Sequence, residues 1–148
     1  MPEIYTEKWY QAMMDLANSR DDLSAKVPHG EWRIAVEIKG DGKSPYVLTD
    51  ETKHFFIRLV DGKVTEYKEA AEKIPGKELQ YRILGPASIF EGIAAGIYDP
   101  IEKGLDGTLT IRGDMRLILQ HADLMNVIFD VYTKSGVTEF PKGAPPYE

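Results

Sequence analysis

The sequence predicts a single domain of the α+β class. A chain of 148 residues is long enough to bury a sizeable core without disulfide bonds, yet short enough to form one domain. Apolar side chains recur at helical spacing near the N-terminus and again in the last third of the chain. Between these stretches, large apolar residues alternate with small or charged ones, which is the pattern of strands with one buried face.

The first predicted element is a helix over 6–26. Acidic and basic residues separate its apolar side chains, and Pro28 and Gly30 end it. The apolar residues at spacings near three and four are Trp9, Met13, Leu16, Ala17 and Leu23. This spacing is typical of an amphipathic helix that packs on a core.

Four strands with short connections follow this helix. Gly40-Asp41-Gly42 supplies the first turn, and Asp61-Gly62 suits a tight hairpin because both of its central residues need positive φ. The predicted strands cover 32–39, 44–48, 54–60 and 63–67. Consecutive strands joined in this way form an antiparallel meander.

The second half of the chain combines two more strands with three helices. The strands are predicted over 79–84 and 107–112. A helix from about Pro86 to Ile97 follows the first of them, because proline is tolerated in a first helical turn. Its apolar face consists of Ile89, Phe90, Ile93 and Ile97. A short helix starts at Pro100 and stops at Gly104, after the predicted cap Asp99.

The last predicted helix begins after the cap residue Asp114, runs to about Tyr132, and has two apolar stripes. One stripe consists of Ile118, Ala122, Met125 and Phe129, and the other of Leu117, Leu124, Val127, Ile128 and Val131. A surface helix needs a single apolar stripe. Two stripes fit a fully buried helix, a helix in a subunit interface, or one that lines an internal cavity on one side and packs on the core with the other.

Composition argues against several classes of function. The absence of cysteine excludes disulfides, thiolate catalysis and cysteine-ligated metal centres. A net charge of -6 without clustered cations is a poor basis for binding a nucleic-acid backbone. No apolar run approaches the roughly 18–20 residues of a membrane span, and no signal-peptide pattern is present, so a cytoplasmic location is predicted.

The search for catalytic or metal-binding motifs yields nothing specific. Gly42-Lys43-Ser44 matches only the end of a phosphate-binding loop, because Glu37 occupies the position of the required first glycine. The three histidines, His29, His54 and His121, do not have the spacing of a ligand set. We therefore expect a protein that is not an enzyme and that carries no metal or cofactor.

The stretch from Gly85 to Phe129 resembles the sterol carrier protein 2 family of non-specific lipid-transfer proteins. The resemblance rests on Ile93-Ala94-Ala95-Gly96 at a helix end, on Asp99-Pro100-Ile101, and on Leu105–Asp114 as a strand-to-helix passage. The strand that starts at Trp32 and the Asp61-Gly62 hairpin occur upstream in the order expected of the family. The order of elements over about 6–133 contributes more to the resemblance than any single motif.

This resemblance implies a five-stranded, mainly antiparallel sheet covered by helices, with an apolar tunnel between sheet and helices. The tunnel of the family accepts fatty acyl chains, acyl-coenzyme A or sterols. The cavity candidates that we select from the apolar pattern are Trp32, Ile34, Val36, Phe90, Ile93, Ile97, Ile118, Ala122, Met125 and Phe129. Each of these side chains also fits ordinary core packing, and Met125 is the best candidate because a flexible thioether adapts to variable apolar shapes.

The sequence therefore predicts a domain over 1–133 that binds and carries a hydrophobic small molecule or lipid. The alternative is a non-catalytic accessory subunit, as a homodimer or beside an enzyme that acts on hydrophobic substrates. The proline-rich segment 134–148 is predicted as an extended, partly mobile tail that could cover the mouth of the tunnel.

Overall fold

The structure is a computed structural model that describes residues 2–120 and 138–147, apart from the side chains of residues 23, 24, 101, 115 and 118. The helices are α1 (Glu7–Asn18), α2 (Asp21–Lys26), α3 (Ala87–Ala94), α4 (Pro100–Leu105) and α5 (Met115–Gln120), with one 3₁₀ turn at Gly76–Glu78. The strands are β1 (Glu31–Lys39), β2 (Thr52–Val60), β3 (Lys63–Ala70), β4 (Tyr81–Pro86) and β5 (Thr110–Gly113).

The five strands form one sheet in the order β3-β2-β1-β4-β5. β1 pairs antiparallel with β2 and parallel with β4, and the two outer pairings are antiparallel. The predicted α+β class and the five-stranded, mainly antiparallel sheet are confirmed. At the β2–β3 hairpin, Asp61 and Gly62 both have positive φ, of 48° and 85°, as the dipeptide predicted.

The strand predicted over 44–48 is wrong, since this segment forms successive turns. Asp41 Oδ1 accepts hydrogen bonds from the backbone N–H groups of Lys43 and Ser44, and Ser44 Oγ accepts from those of Tyr46 and Val47. Such local bonds between side chain and backbone compete with a strand ladder. The apolar residue that suggested a strand, Val47, is buried at 1% exposure in the core.

The helix predicted over 6–26 is two helices. Thr6 caps α1 by accepting a hydrogen bond from the N–H of Trp9, as a threonine at this position is expected to do. At the other end Ser19 Oγ donates to the carbonyl of Leu16 at 2.7 Å, and α2 starts only at Asp21. The buried residues of α1 are Trp9, Tyr10, Met13 and Ala17, which matches most of the predicted apolar face.

The elements of the second half lie close to their predicted positions. α3 ends at Ala94, three residues earlier than predicted, and Gly96 follows with a φ of 79°. β5 starts at Thr110 because Asp106 Oδ1 accepts from the N–H of Thr108 and holds a turn before it. Asp114 caps the start of α5 through the N–H groups of Arg116 and Leu117, as predicted. The part of that helix predicted beyond residue 120 lies outside the described residues.

One face of the sheet, which we call the covered face, packs on helices. Trp9 and Met13 of α1, Ile38 of β1, Phe55 of β2 and Phe90 of α3 belong to one buried cluster. Successive side chains of a strand point to opposite faces, so the even-numbered residues of β1 lie on the covered face. No helix in the described part of the chain is long and apolar enough to cross a bilayer.

The C-terminal segment 138–147 returns to the N-terminal part of the chain. Glu139 forms a backbone bridge beside Glu3, and its carbonyl accepts from the N–H of Ile4 at 3.1 Å. Thr138 Oγ1 accepts a hydrogen bond of 2.9 Å from the indole of Trp9, which is itself buried at 1% exposure. This segment therefore contacts the domain through specific polar bonds.

A first prediction concerns the close approach between the end of β1 and the turns that follow. A Cβ built on Gly40 would lie 1.7 Å from the carbonyl oxygen of Leu48, a backbone atom that cannot move aside by itself. We expect Gly40→Ala to lower the free energy of unfolding by about 2 kcal/mol or more, as overpacking of this kind does. Urea unfolding followed by circular dichroism measures the change.

The matched control is Gly104→Ala, because a Cβ on Gly104 in α4 would only touch Ile111 at 3.8 Å. We expect that variant to be neutral or more stable by up to about 1 kcal/mol, the usual gain from alanine in a helix. Equal stability of the two variants would contradict the close packing described for Gly40.

Candidate functional site

A continuous row of half-buried apolar side chains lies on the covered face of the three strands β1, β4 and β5. We call it the apolar floor, and it consists of Trp32, Ile34, Val36, Tyr81, Ile83 and Ile111. The register places Ile34 beside Tyr81, and Ile83 between Val36 and Ile111. The rings of Trp32 and Tyr81 stack with centroids 6.4 Å apart. Partial exposure of every member distinguishes this row from the fully buried core next to it.

One end of the apolar floor is closed by tight packing. Gly85 follows Ile83 on the same face of β4, and a Cβ at this position would lie 2.4 Å from Leu109 Cδ2 and 3.1 Å from the ring of Phe90. Leu109 and Phe90 are both buried in the main core cluster. The glycine thus lets α3 and the residue before β5 approach the sheet directly, so Phe90 and Leu109 cover this end of the floor.

The predicted site residues on β1 and α3 divide into two neighbouring clusters. Val36 packs against the main core cluster, which contains Phe90 and Ile93. Trp32 and Ile34 pack against a second cluster of Ala17, Val27, Leu59 and Val64. Both clusters lie on the same face of the sheet, so the three candidates of β1 share that face, and their contact with a ligand stays a prediction.

Of the other predicted site residues, Ile97 is the one whose side chain the structure describes. Ile97 lies beyond the end of α3 and is 44% exposed. The side chain of Ile118 is not described, although its backbone belongs to α5. Ala122, Met125 and Phe129 lie outside the described residues, so their place opposite the apolar floor stays a prediction.

A buried carboxylate in α3 is a polar feature that the sequence analysis missed. Glu91 is 0% exposed and accepts hydrogen bonds from the hydroxyl groups of Tyr5, Ser44 and Tyr147, at 2.8, 2.8 and 2.5 Å. Burial raises the pKa of Glu91, and the three donors offset part of that effect. The signal in the sequence was a single acid in an otherwise apolar or small-residue helix, flanked by Phe90 and Gly92.

Hydrogen bonds to the Glu91 carboxylate connect three distant segments of the chain to α3. Tyr5 belongs to the N-terminal segment, Ser44 to the turns after β1, and Tyr147 to the C-terminal segment. Next to this network, Ser88 donates its hydroxyl and its backbone N–H to Asp41 Oδ2, which ties the start of α3 to the same turns. Because hydroxyl groups already occupy the Glu91 carboxylate, this arrangement supports a structural role.

The two described histidines each lie near a carboxylate. His54 Nδ1 lies 3.6 Å from Glu37 Oε1, and His29 Nδ1 lies 3.7 Å from Asp61 Oδ1. Across residues 2–120 and 138–147, no three histidine or carboxylate side chains converge as the ligands of a metal ion would. The arrangement with the clearest chemical use in the described part is therefore the apolar floor, which can remove the surface of an apolar molecule from water.

The chain is similar to known proteins in its structure, whereas no similarity is found in its sequence. No protein-family model matches the chain, and no curated protein matches its sequence. A crystal structure of sterol carrier protein 2 superposes with a TM-score of 0.73 at 16% identity, and the match covers 89% of this chain and 98% of that one.

Two further solved structures extend this similarity. A conserved hypothetical protein from Thermus thermophilus gives a TM-score of 0.71 at 17% identity over 94% of this chain and 92% of its own. The sterol carrier protein domain 2 of Helicoverpa armigera gives 0.52 at 16% identity over 82% and 86%. The chain therefore has the fold of sterol carrier protein 2.

Proposed function

We propose that this protein binds and carries a hydrophobic small molecule, namely a fatty acid, an acyl-coenzyme A or a sterol- or isoprenoid-like lipid. The observation that supports this proposal most directly is the apolar floor, where six adjacent apolar or aromatic side chains remain half-buried on the covered face of the sheet. Single half-buried apolar residues are normal at a protein surface, but a contiguous row of six is typical of a surface that another apolar molecule or element covers.

The second wall of the proposed site is the last helix. Its stripe of Ile118, Ala122, Met125 and Phe129 would lie opposite the apolar floor and enclose the ligand in a tunnel. An acyl chain that buried about 300 Å² between the two walls would gain roughly 7 kcal/mol before the costs of association. Because micromolar binding corresponds to about 8 kcal/mol net, a larger buried area or contacts to the headgroup must supply the rest.

The proposed role is non-catalytic. Glu91, the most deeply buried carboxylate of the described part, already accepts three hydroxyl donors, which fits a fastening role better than acid–base chemistry. The names of the similar structures point the same way, since two of those reported above are sterol carrier proteins. We further propose a cytoplasmic location and action without a cofactor.

A direct test is to look for the ligand. We expect native mass spectrometry of gently purified protein to show an apolar adduct, and a fluorescent fatty acid to bind and to be displaced by unlabelled lipid. Solvent extraction of the adduct then identifies the cargo. Absence of any adduct, together with no fluorescent binding across several chain lengths, would remove the proposed function.

A second test compares two isoleucines that differ in their position. Ile34 is part of the apolar floor, whereas Ile97 is exposed outside it. We expect Ile34→Ser to weaken fatty-acid binding by about tenfold or more, because a hydroxyl group on the floor loses its water when the ligand enters. Ile97→Ser should leave the affinity unchanged. Isothermal titration calorimetry measures the affinity of both variants for the fatty acid, and thermal unfolding checks that both are folded. Equal affinities of the two variants would exclude Ile34 from the site.

A third test addresses the wall formed by the last helix. We expect Met125→Glu to reduce binding far more than it lowers the unfolding temperature, since a carboxylate on a tunnel wall is costly to desolvate. Met125→Leu, which keeps an apolar side chain of similar volume, should retain binding. Unchanged binding in the glutamate variant would show that this side chain does not line the site.

A further inference from the structure

The face of the sheet opposite the apolar floor contains an unusual concentration of arginine. Four of the six arginines in the chain, Arg33, Arg58, Arg82 and Arg112, lie at register positions on this side. Among the strand lysines, Lys39 and Lys68 share it. We call this surface the arginine face. The helices α1 and α3 pack on the other side of the sheet.

The arginines of this face stand opposite one another across neighbouring strands. Arg33 of β1 pairs with Arg58 of β2, and Arg82 of β4 pairs with Arg112 of β5. Like charges at directly opposed positions of an antiparallel pair lower the stability of a sheet. Two such pairs in one sheet indicate that the side chains serve a purpose other than stability.

Carboxylates on the same face hold three of the four arginines in fixed positions. Glu31 lies between the first pair, with its two oxygens each 2.6 Å from a nitrogen of Arg33 or of Arg58. Glu37 Oε2 lies 3.1 Å from Arg82 Nη1, and both of these side chains are more than nine-tenths buried. Arg112 is exposed and has no ion pair with any residue that the structure describes.

The charge of this surface opposes that of the whole molecule. The accessible cations of the arginine face are Arg33, Lys39, Arg58, Lys68 and Arg112, and the accessible carboxylates are Glu31 and Glu66. The buried pair Arg82 and Glu37 is not counted, because Arg82 Nη2 donates to the carbonyl of Ile74 in the connection between β3 and β4, which covers this part of the face. Lys63, at the hairpin end of β3, is not counted because its Nζ donates to the carbonyl of Asn18 in α1. Five cations against two carboxylates leave an excess of +3, on a chain whose net charge is -6. A molecule of this kind presents one positive face to an anionic partner and negative charge elsewhere, which orients the encounter.

The types of residue on the arginine face favour a protein as the partner. Arginine and aromatic residues are enriched in protein interfaces while lysine is depleted, and here Phe56 is half-buried among the arginines with Lys68 Nζ 5.9 Å above its ring. A guanidinium group held in a fixed position binds a carboxylate through two parallel hydrogen bonds, which a lysine cannot do. Fluid lipid headgroups do not require this fixed geometry.

We propose that the arginine face is a docking surface for a partner protein that exposes clustered carboxylates. Arg58 and Arg112 lie at two separate points of the surface, one on each side of β1 and β4. Arg112 binds a carboxylate of the partner directly, and Arg58 does so with the N–H groups that its bonds to Glu31 do not use. Glu31 and Glu37 keep Arg33 and Arg82 in position. This surface is independent of the ligand-binding proposal, because it lies on the other face of the sheet.

The test uses the full chain and a fluorescein-labelled oligoglutamate peptide as the probe, followed by fluorescence anisotropy at about 0.15 M salt, where the Debye length is about 8 Å. We expect the double variant Arg58→Glu, Arg112→Glu to bind the peptide at least about tenfold more weakly, because two charge-assisted contacts become repulsive. The single variant Arg112→Glu, at an exposed position of an edge strand, should bind the peptide more weakly than the unchanged protein but more tightly than the double variant. It serves as the test if the double variant does not fold.

The control is the double variant Lys8→Glu, Lys43→Glu, which changes the net charge equally at exposed positions outside the arginine face. It should bind the peptide within about twofold of the unchanged protein at matched ionic strength, since only distant charges differ. The double variant Arg58→Lys, Arg112→Lys keeps the positive charge but cannot form two parallel hydrogen bonds to one carboxylate. It should bind the peptide more weakly than the unchanged protein. Equal weakening in the glutamate variant and the control overturns the proposal. Stronger binding to phosphatidylserine vesicles than to the peptide, lost in the same variants, also overturns it and assigns the face to a membrane.

Discussion

The structure depends on the pairing register of β1, the central strand. Its even-numbered residues, from Trp32 to Ile38, face the helices, and its odd-numbered residues, from Glu31 to Lys39, face the other side. A slip of one residue would exchange the two sets and would bring Arg33 and Glu37 into the apolar core. The antiparallel ladder with β2 and the parallel ladder with β4 fix this register from both sides.

The sequence predicted those elements whose signal is local. Alternation along β1, positive φ at Asp61-Gly62 and the cap residue Asp114 each depend on a few neighbouring residues, and each prediction is confirmed. The prediction for segment 44–48 failed because side chains hold the segment in turns that bury Val47 and leave Leu48 exposed. A short apolar run looks the same in the sequence whether it forms a strand or such turns. The break at Ser19 has a similar cause, since its hydroxyl ends α1 without any proline or glycine.

The candidate site was predictable only in part, because its geometry depends on contacts between distant segments. The alternation pattern grouped Trp32, Ile34 and Val36, but it could not add Tyr81, Ile83 and Ile111, which become neighbours only through strand pairing. Ile97 matched the spacing of its helix, yet α3 ends before it. Glu91 could not be assigned a partner from sequence, because its donors come from positions 5, 44 and 147.

The two faces of β1 would make the proposed ligand binding and the proposed protein docking separable properties of one strand. Adjacent residues such as Arg33 and Ile34 point to opposite sides, so a substitution at either one leaves the other surface chemically unchanged. Communication between the two surfaces would have to pass through the twist or register of the sheet. The ladders on both sides of β1 oppose such a change, because a shift in register would break backbone hydrogen bonds along nine residues of β1. If both proposals hold, the edge strand β5 is the place where a bound ligand would affect docking most readily, because β5 pairs only with β4 in the described sheet and carries Ile111 of the floor next to Arg112.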